Sequence, residues 1–125
     1  MKHRLGSDVR GVTAVEFALI APVLFAMLLA ICEFGMMAWT QAGLQNGAEM
    51  AARCATFNPG TCRDAPTIQN FAAQNAFGLT IPASTFSVAT ATCGNQVSAT
   101  YTFEFITGYF GMSAMTLNAQ SCFPK

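Results

Sequence analysis

The run from Val12 to Cys32, VTAVEFALIAPVLFAMLLAIC, constrains this chain more than any other feature. Its 21 residues carry one charge, Glu16. Wound as an α-helix at about 1.5 Å per residue, the run spans about 31 Å, the thickness of a bilayer's hydrocarbon core. Lys2, Arg4 and Arg10 precede it against a single acid, Asp8. Such a basic flank keeps the N-terminus cytoplasmic and sends the remainder outward. Trp39 follows the run by a few residues, where an interfacial indole is expected.

Composition agrees with a membrane segment joined to a small domain. The chain has 125 residues, 53% of them hydrophobic and 10% charged, against roughly 25% charged in an ordinary soluble domain. Its formal net charge is zero, so no basic surplus argues for nucleic acid. A cleaved secretory signal needs a small-x-small site after the apolar run, and CEFGMMAWTQAG offers none. A lipoprotein site needs a small residue before the cysteine, and Ile31 precedes Cys32. A plain uncleaved anchor explains the length and the basic flank but not Glu16. An ionised carboxylate at the centre of a membrane helix costs on the order of 3 kcal/mol, less near the edge, and marks a functional residue by default.

The residues Gly11-Val12-Thr13-Ala14-Val15-Glu16-Phe17 have the pattern of a prepilin peptidase site: a short basic leader ending in Gly, four uncharged residues, then Glu and an aromatic. The longer stretch RGVTAVEFALIAPVLFAMLLAICEFG resembles the TadE-like family of the tight-adherence (Flp, type IVc) pilus system. Phe17 fits the TadE-like members better than the major pilins of that system, which carry Tyr after the Glu. The resemblance implies a cytoplasmic leader at residues 1–11, cleavage between Gly11 and Val12, a transmembrane helix at 12–37 and an exterior pilin-like domain at 38–125. Cleavage would free the Val12 α-amine, positive below about pH 8, one helical turn from Glu16. In a bundle, the Glu16 of one subunit can pair with the amine of its neighbour and fix one axial register. Pro22 loosens the helix locally, which in pilins helps subunits leave the bilayer for the filament. Ala14, Ala18, Pro22, Ala26 and Ala30 form one row of small residues, and Gly35, Trp39, Gly43, Gly47 and Ala51 a second, either of which would let neighbouring helices approach.

Beyond the apolar run the fold class expected is α+β. The helix continues to about Ala55 with Leu44, Ala48, Ala51 and Ala55 on one face and Glu49–Arg53 as an i,i+4 pair. Asn58-Pro59-Gly60 turns the chain. Pro66 to Phe77 reads as a short second helix with Asp64 or Ala65 before its first turn, a stripe of Ile68, Phe71, Ala72 and Ala76, and Gly78 as its stop. The period then changes to two. Phe86, Val88, Thr90 and Thr92 alternate weakly, Cys93-Gly94-Asn95-Gln96 offers a tight turn, and Val97, Ala99, Tyr101, Phe103 and Phe105 form the clearest strand face. Ala114 to Ser121 completes a three-stranded antiparallel meander, which needs the helix to build a core.

Cys32 lies in the apolar run as a small apolar residue. The other four cysteines, Cys54, Cys62, Cys93 and Cys122, fall in the exterior part, where an even number suggests disulfides. Of three connectivities, Cys54–Cys62 closes a short loop around Asn58-Pro59-Gly60, and Cys93–Cys122 follows from the meander; a four-cysteine zinc site is the alternative, though it lacks a C-x-x-C knuckle. We find no catalytic motif, metal set or cofactor signature. His3 sits in the leader, Arg63, Asp64 and Glu104 are separate surface charges, and Tyr101, Phe103, Phe105, Tyr109 and Phe110 read as packing residues. The residues point to a non-enzymatic protein, and the TadE-like resemblance implies a minor pilin or pseudopilin acting in pilus assembly and initiation and thereby in surface adhesion. The partners implied are the prepilin peptidase, other TadE-like pseudopilins, the major pilin, the inner-membrane assembly platform and membrane lipid. Its expected location is the inner membrane, single-pass, with incorporation into an extracellular pilus. An unprocessed single-pass protein with an exterior ligand-binding domain is the competing reading.

Overall fold

The computed structural model of the chain describes residues 9–108 and 111–125. The leader residues Lys2, His3, Arg4 and Asp8, and Tyr109 and Phe110, lie outside them. Helix α1 runs Val9–Phe57, α2 runs Ala65–Gln74, and a 3₁₀ turn at Ala83–Thr85 leads into strands β1 (Phe86–Ala91), β2 (Gly94–Glu104) and β3 (Ala114–Phe123). The fold is α+β, as the change of period predicts. Two compact units divide between Phe34 and Gly35; the sequence reading divides membrane segment from exterior domain at 37/38.

In the first unit, large apolar side chains from Val12 through Ile31 are exposed around the helix. No polar stripe interrupts them, which marks a helix solvated by something apolar. Pro22 stands inside α1. It has no N–H to donate, so the Ala18 carbonyl loses its usual helical partner.

The second unit, Gly35–Lys125, holds the core. Leu44, Ala48, Ala51 and Ala52 of α1 pack with Ile68 and Ala72 of α2 and with Phe86, Val97, Ala99, Leu117 and Ala119 of the sheet. Small residues on α1 let α2 come close. A Cβ on Gly47 would stand 2.6 Å from the Ala72 carbonyl oxygen and 3.1 Å from Phe86 Cζ; one on Gly43 would stand 2.6 Å from Leu79 Cδ1. These two glycines, read from the sequence as a row for neighbouring helices, are thus taken up inside the unit itself. The Glu49–Arg53 pair forms, at 2.7 Å, on the surface.

The sheet is antiparallel in the order β1-β2-β3. The edge strand β3 is held to α1 by two glutamines one turn apart: Gln41 Nε2 donates to the Asn118 carbonyl (2.7 Å) and Gln45 Nε2 to the Gln120 carbonyl (3.1 Å). Asn46 Nδ2 donates to the Asn75 carbonyl at the end of α2 (2.6 Å), and Gln69 Nε2 to the Phe86 carbonyl at the start of β1 (2.8 Å). Covering strand edges in this way removes templates for unwanted pairing.

Two local readings change. The β1–β2 turn is Thr92-Cys93, because Ala91 pairs with Gly94 and Phe86 with Ala99. A turn at Gly94-Asn95 would instead have set Phe86 opposite Phe103. Gly94 is a ladder residue at φ 125°. A Cβ there would collide with the Phe123 carbonyl oxygen and lie 2.7 Å from Pro124 Cα, so close approach of the end of β3 is what requires glycine. Helix α2 ends at Gln74 rather than Phe77. Asn75 caps it, its N–H reaching the Phe71 and Ala72 carbonyls, and Phe77 takes a left-handed φ of 51° before Gly78 at 73°.

At the other end of α2, Asp64 is the N-cap of a capping box. Its Oδ1 accepts from the Thr67 N–H (3.1 Å) and hydroxyl (2.8 Å), and its own N–H donates to Thr67 Oγ1 (3.1 Å). The Thr67 hydroxyl, then the Thr67 N–H, hold the carboxyl below its ordinary value of 3.8. A pKa lowered on folding adds stability that is complete above the unfolded value and is lost as pH falls below 3.8 through the native one. Asp64→Ala therefore lowers the melting temperature at pH 7, and the gap to the parent shrinks on acidification towards pH 3 (about one unit below the ordinary carboxylate value). Melting curves at the two pH values check this; a gap that stays constant or widens in acid refutes the charge-assisted cap.

Candidate functional site

Gly11, Val12, Glu16, Phe17 and Pro22 all lie on α1, each exposed. The Gly11–Val12 bond lies within α1. Among the described residues, no atom outside the helix's own neighbouring turns lies within 4 Å of a Cβ position on Gly11. Its glycine identity therefore has no internal packing cause, unlike that of Gly47. Glu16 stands four residues beyond Val12, on the same face one turn along. The structure brings these residues together by helical spacing alone.

The exterior cysteines form Cys54–Cys62, with Cα atoms 5.7 Å apart, and Cys93–Cys122, 6.2 Å apart. These are the pairs expected from the loop and the meander, and they take all four cysteines of the zinc alternative. The first fastens the last turn of α1 to the loop before α2. The second ties the β1–β2 turn to the end of β3. Loop-closure entropy gives about 2.5 kcal/mol for a separation of 8 residues and about 3.6 kcal/mol for 29. Cys32 is a free thiol, exposed on the apolar helix.

Among the described residues, no three His, Cys, Asp or Glu side chains cluster closely enough to hold a metal ion. Glu104 ends β2 exposed to solvent, as its place between Phe103 and Phe105 predicts. The sequence reading missed the four Asn and Gln side chains that fasten α1, α2 and the sheet. Only Gln41 and Gln45 left a trace, an amide pair at i,i+4 on an otherwise small-residue helix.

Among the described residues one helix is long and apolar enough to cross a membrane, and it continues into a small disulfide-bonded α+β unit, an arrangement consistent with a single-pass membrane protein. Residues 11–53 match the family model for TadE-like protein. The match begins at Gly11 and runs through Glu16, Phe17 and Pro22 to Arg53, so this segment is TadE-like. No curated protein and no solved structure matches the chain.

Proposed function

We propose that the chain is a minor pilin or pseudopilin of a tight-adherence pilus, cut after Gly11 by a prepilin peptidase and acting in filament assembly or initiation rather than as an enzyme. The match of residues 11–53 to the TadE-like model carries this reading. It covers the helix on which Gly11, Glu16 and the exposed apolar surface stand together. In this reading the N-terminus is cytoplasmic and the α+β unit is exported, where its disulfides form and persist. Partners are the peptidase, a second TadE-like subunit, the major pilin and the inner-membrane assembly platform.

Expression with and without the cognate peptidase, followed by determination of the mature N-terminus, tests the proposal. The expected result is a new terminus at Val12 that depends on the peptidase and is lost in Gly11→Val. A chain that keeps Met1 beside an active cognate peptidase would favour an unprocessed membrane protein with an exterior binding domain.

A further inference from the structure

The second unit has two unlike ends. Gln41 bonds to Asn118 and Gln45 to Gln120. Four helical residues rise about 6 Å and two strand residues about 6.6 Å, so β3 runs beside α1 in the same direction. The far end agrees: the last residue of β3, Phe123, meets Phe57 at 6.3 Å between ring centroids and lies under the Arg53 guanidinium at 5.0 Å. The start of β3, and with it the end of β2, where Glu104 pairs with Ala114, is therefore at the end where the chain enters the unit at Gly35. Trp39 is at that end too, its ring 5.4 Å from that of Phe77.

Exposure and charge separate the two ends. At the entry end, Trp39 is 57% exposed, Phe77 46% and Ile106 83%, with Met112 and Met115 exposed beside them. Among the described residues the charges near that end are acidic, Glu104 at the close of β2 and the buried Glu33 two residues before Gly35 in sequence, and no Lys or Arg accompanies them. Arg53, Arg63, Asp64 and Lys125 all belong to the far end, Arg63 and Asp64 following the Cys54–Cys62 bridge and Lys125 following Phe123. Large exposed apolar groups on a small unit mark a contact surface. Indole and aliphatic side chains without cations suit the headgroup–acyl boundary of a bilayer rather than an anionic surface. The chain reaches this end three residues after the apolar run finishes at Cys32.

We propose that the second unit rests on a phospholipid surface through its entry end, with Trp39, Phe77, Ile106 and Met112 in the interfacial layer. This rests on the membrane-span reading and adds a lipid contact made by the folded unit itself. It holds the unit down against the bilayer before any assembly step, and removal from the bilayer must break it.

Trp39 is the single tryptophan, which makes the test direct. The full chain is placed in phosphatidylcholine vesicles, and three versions are compared: the parent, Trp39→Phe with Ile106→Trp, and Trp39→Phe with Phe57→Trp at the far end. Quenching by lipids brominated high on the acyl chain is set against quenching by aqueous iodide, and alkaline carbonate extraction of the same vesicles reports the span. Trp39 and the Ile106→Trp probe are expected to be quenched several-fold more by brominated lipid than the Phe57→Trp probe, with iodide showing the reverse order. An Ile106→Trp probe as open to iodide as the Phe57→Trp probe, in carbonate-resistant protein, overturns the docking and leaves the span intact. An Ile106→Trp probe shielded from iodide yet insensitive to brominated lipid also overturns it and assigns the surface to a protein neighbour. Extraction by carbonate overturns the span and the docking together.

Discussion

Gly47→Val is expected to unfold the second unit or bring it close to unfolding, whereas Gly35→Ala stabilises it. Both glycines lie inside α1, where glycine costs about 0.5–1 kcal/mol relative to alanine. At Gly35 no atom lies within 4 Å of an added Cβ, so the helix-propensity gain is collected in full. At Gly47 the added carbon meets the Ala72 carbonyl oxygen at 2.6 Å, and that oxygen is backbone, fixed by α2. Phe86 Cζ and Cε1 stand at 3.1 and 3.3 Å on the other side, and Phe86 is fully buried. Overpacking of this kind costs about 1–3 kcal/mol for small insertions and more when backbone must move. A branched Val adds two further methyls, so a loss of about 3 kcal/mol or more is expected, against a total of about 5–14 kcal/mol for a unit of this size. Urea denaturation with disulfides intact, followed by Trp39 fluorescence, measures both variants, because Trp39 packs on Phe77 of the same unit. Equal stabilisation by Gly35→Ala and Gly47→Ala would refute the close approach of α1 to α2.

Gly47 also shows where sequence reading succeeds and where it stops. Length and hydropathy locate the first part of α1, and periodicity locates its second part, α2 and β2, because each of these buries one face that apolar spacing records. Periodicity also points to Cys93–Cys122, since a meander puts the end of β3 beside the β1–β2 turn, whereas Cys54–Cys62 is suggested by the short loop it closes. The same spacing is silent on what fills a groove. Gly43 and Gly47 form a small-residue row whether the neighbour is another subunit or the chain's own α2. Choosing between those takes the three-dimensional path of residues 65–81. The turn at Thr92-Cys93 was hidden for a related reason. Gly94-Asn95 has turn chemistry, but Gly94 is needed for the approach of Phe123 and Pro124, a contact 29 residues away in sequence. The amides of Gln41, Gln45, Asn46 and Gln69 carry no periodic signal because each serves one carbonyl of a distant element. The segment proposed for processing is the opposite case. Gly11, Glu16 and Phe17 are held in register by a single helix, so their spacing in sequence is already their spacing in space.

Glu16→Ala is expected to leave bilayer insertion intact and cleavage at Val12 detectable, yet to reduce incorporation into pili by about 100-fold or more. Removing an ionised acid from the edge of the apolar run can only favour insertion, by up to about 3 kcal/mol. The loss arises later. Once Val12 carries a free amine, a neighbouring Glu16 can neutralise it in a bundle that excludes water. Deleting one member of such a buried pair strands the other charge, at a cost of about 3–5 kcal/mol, and each 1.4 kcal/mol is about tenfold in association. Glu16→Gln keeps the shape and hydrogen-bonding capacity but not the charge, so it separates electrostatics from packing and is expected to fail nearly as badly. Three measurements on the same cells decide the matter: carbonate resistance for insertion, the mature N-terminus for processing, and the amount of subunit in sheared pilus fractions for assembly. Insertion and processing retained with assembly lost assigns Glu16 to subunit pairing. Assembly at parental levels in Glu16→Ala sinks the pairing role, and a simultaneous loss of cleavage moves Glu16 to recognition by the peptidase.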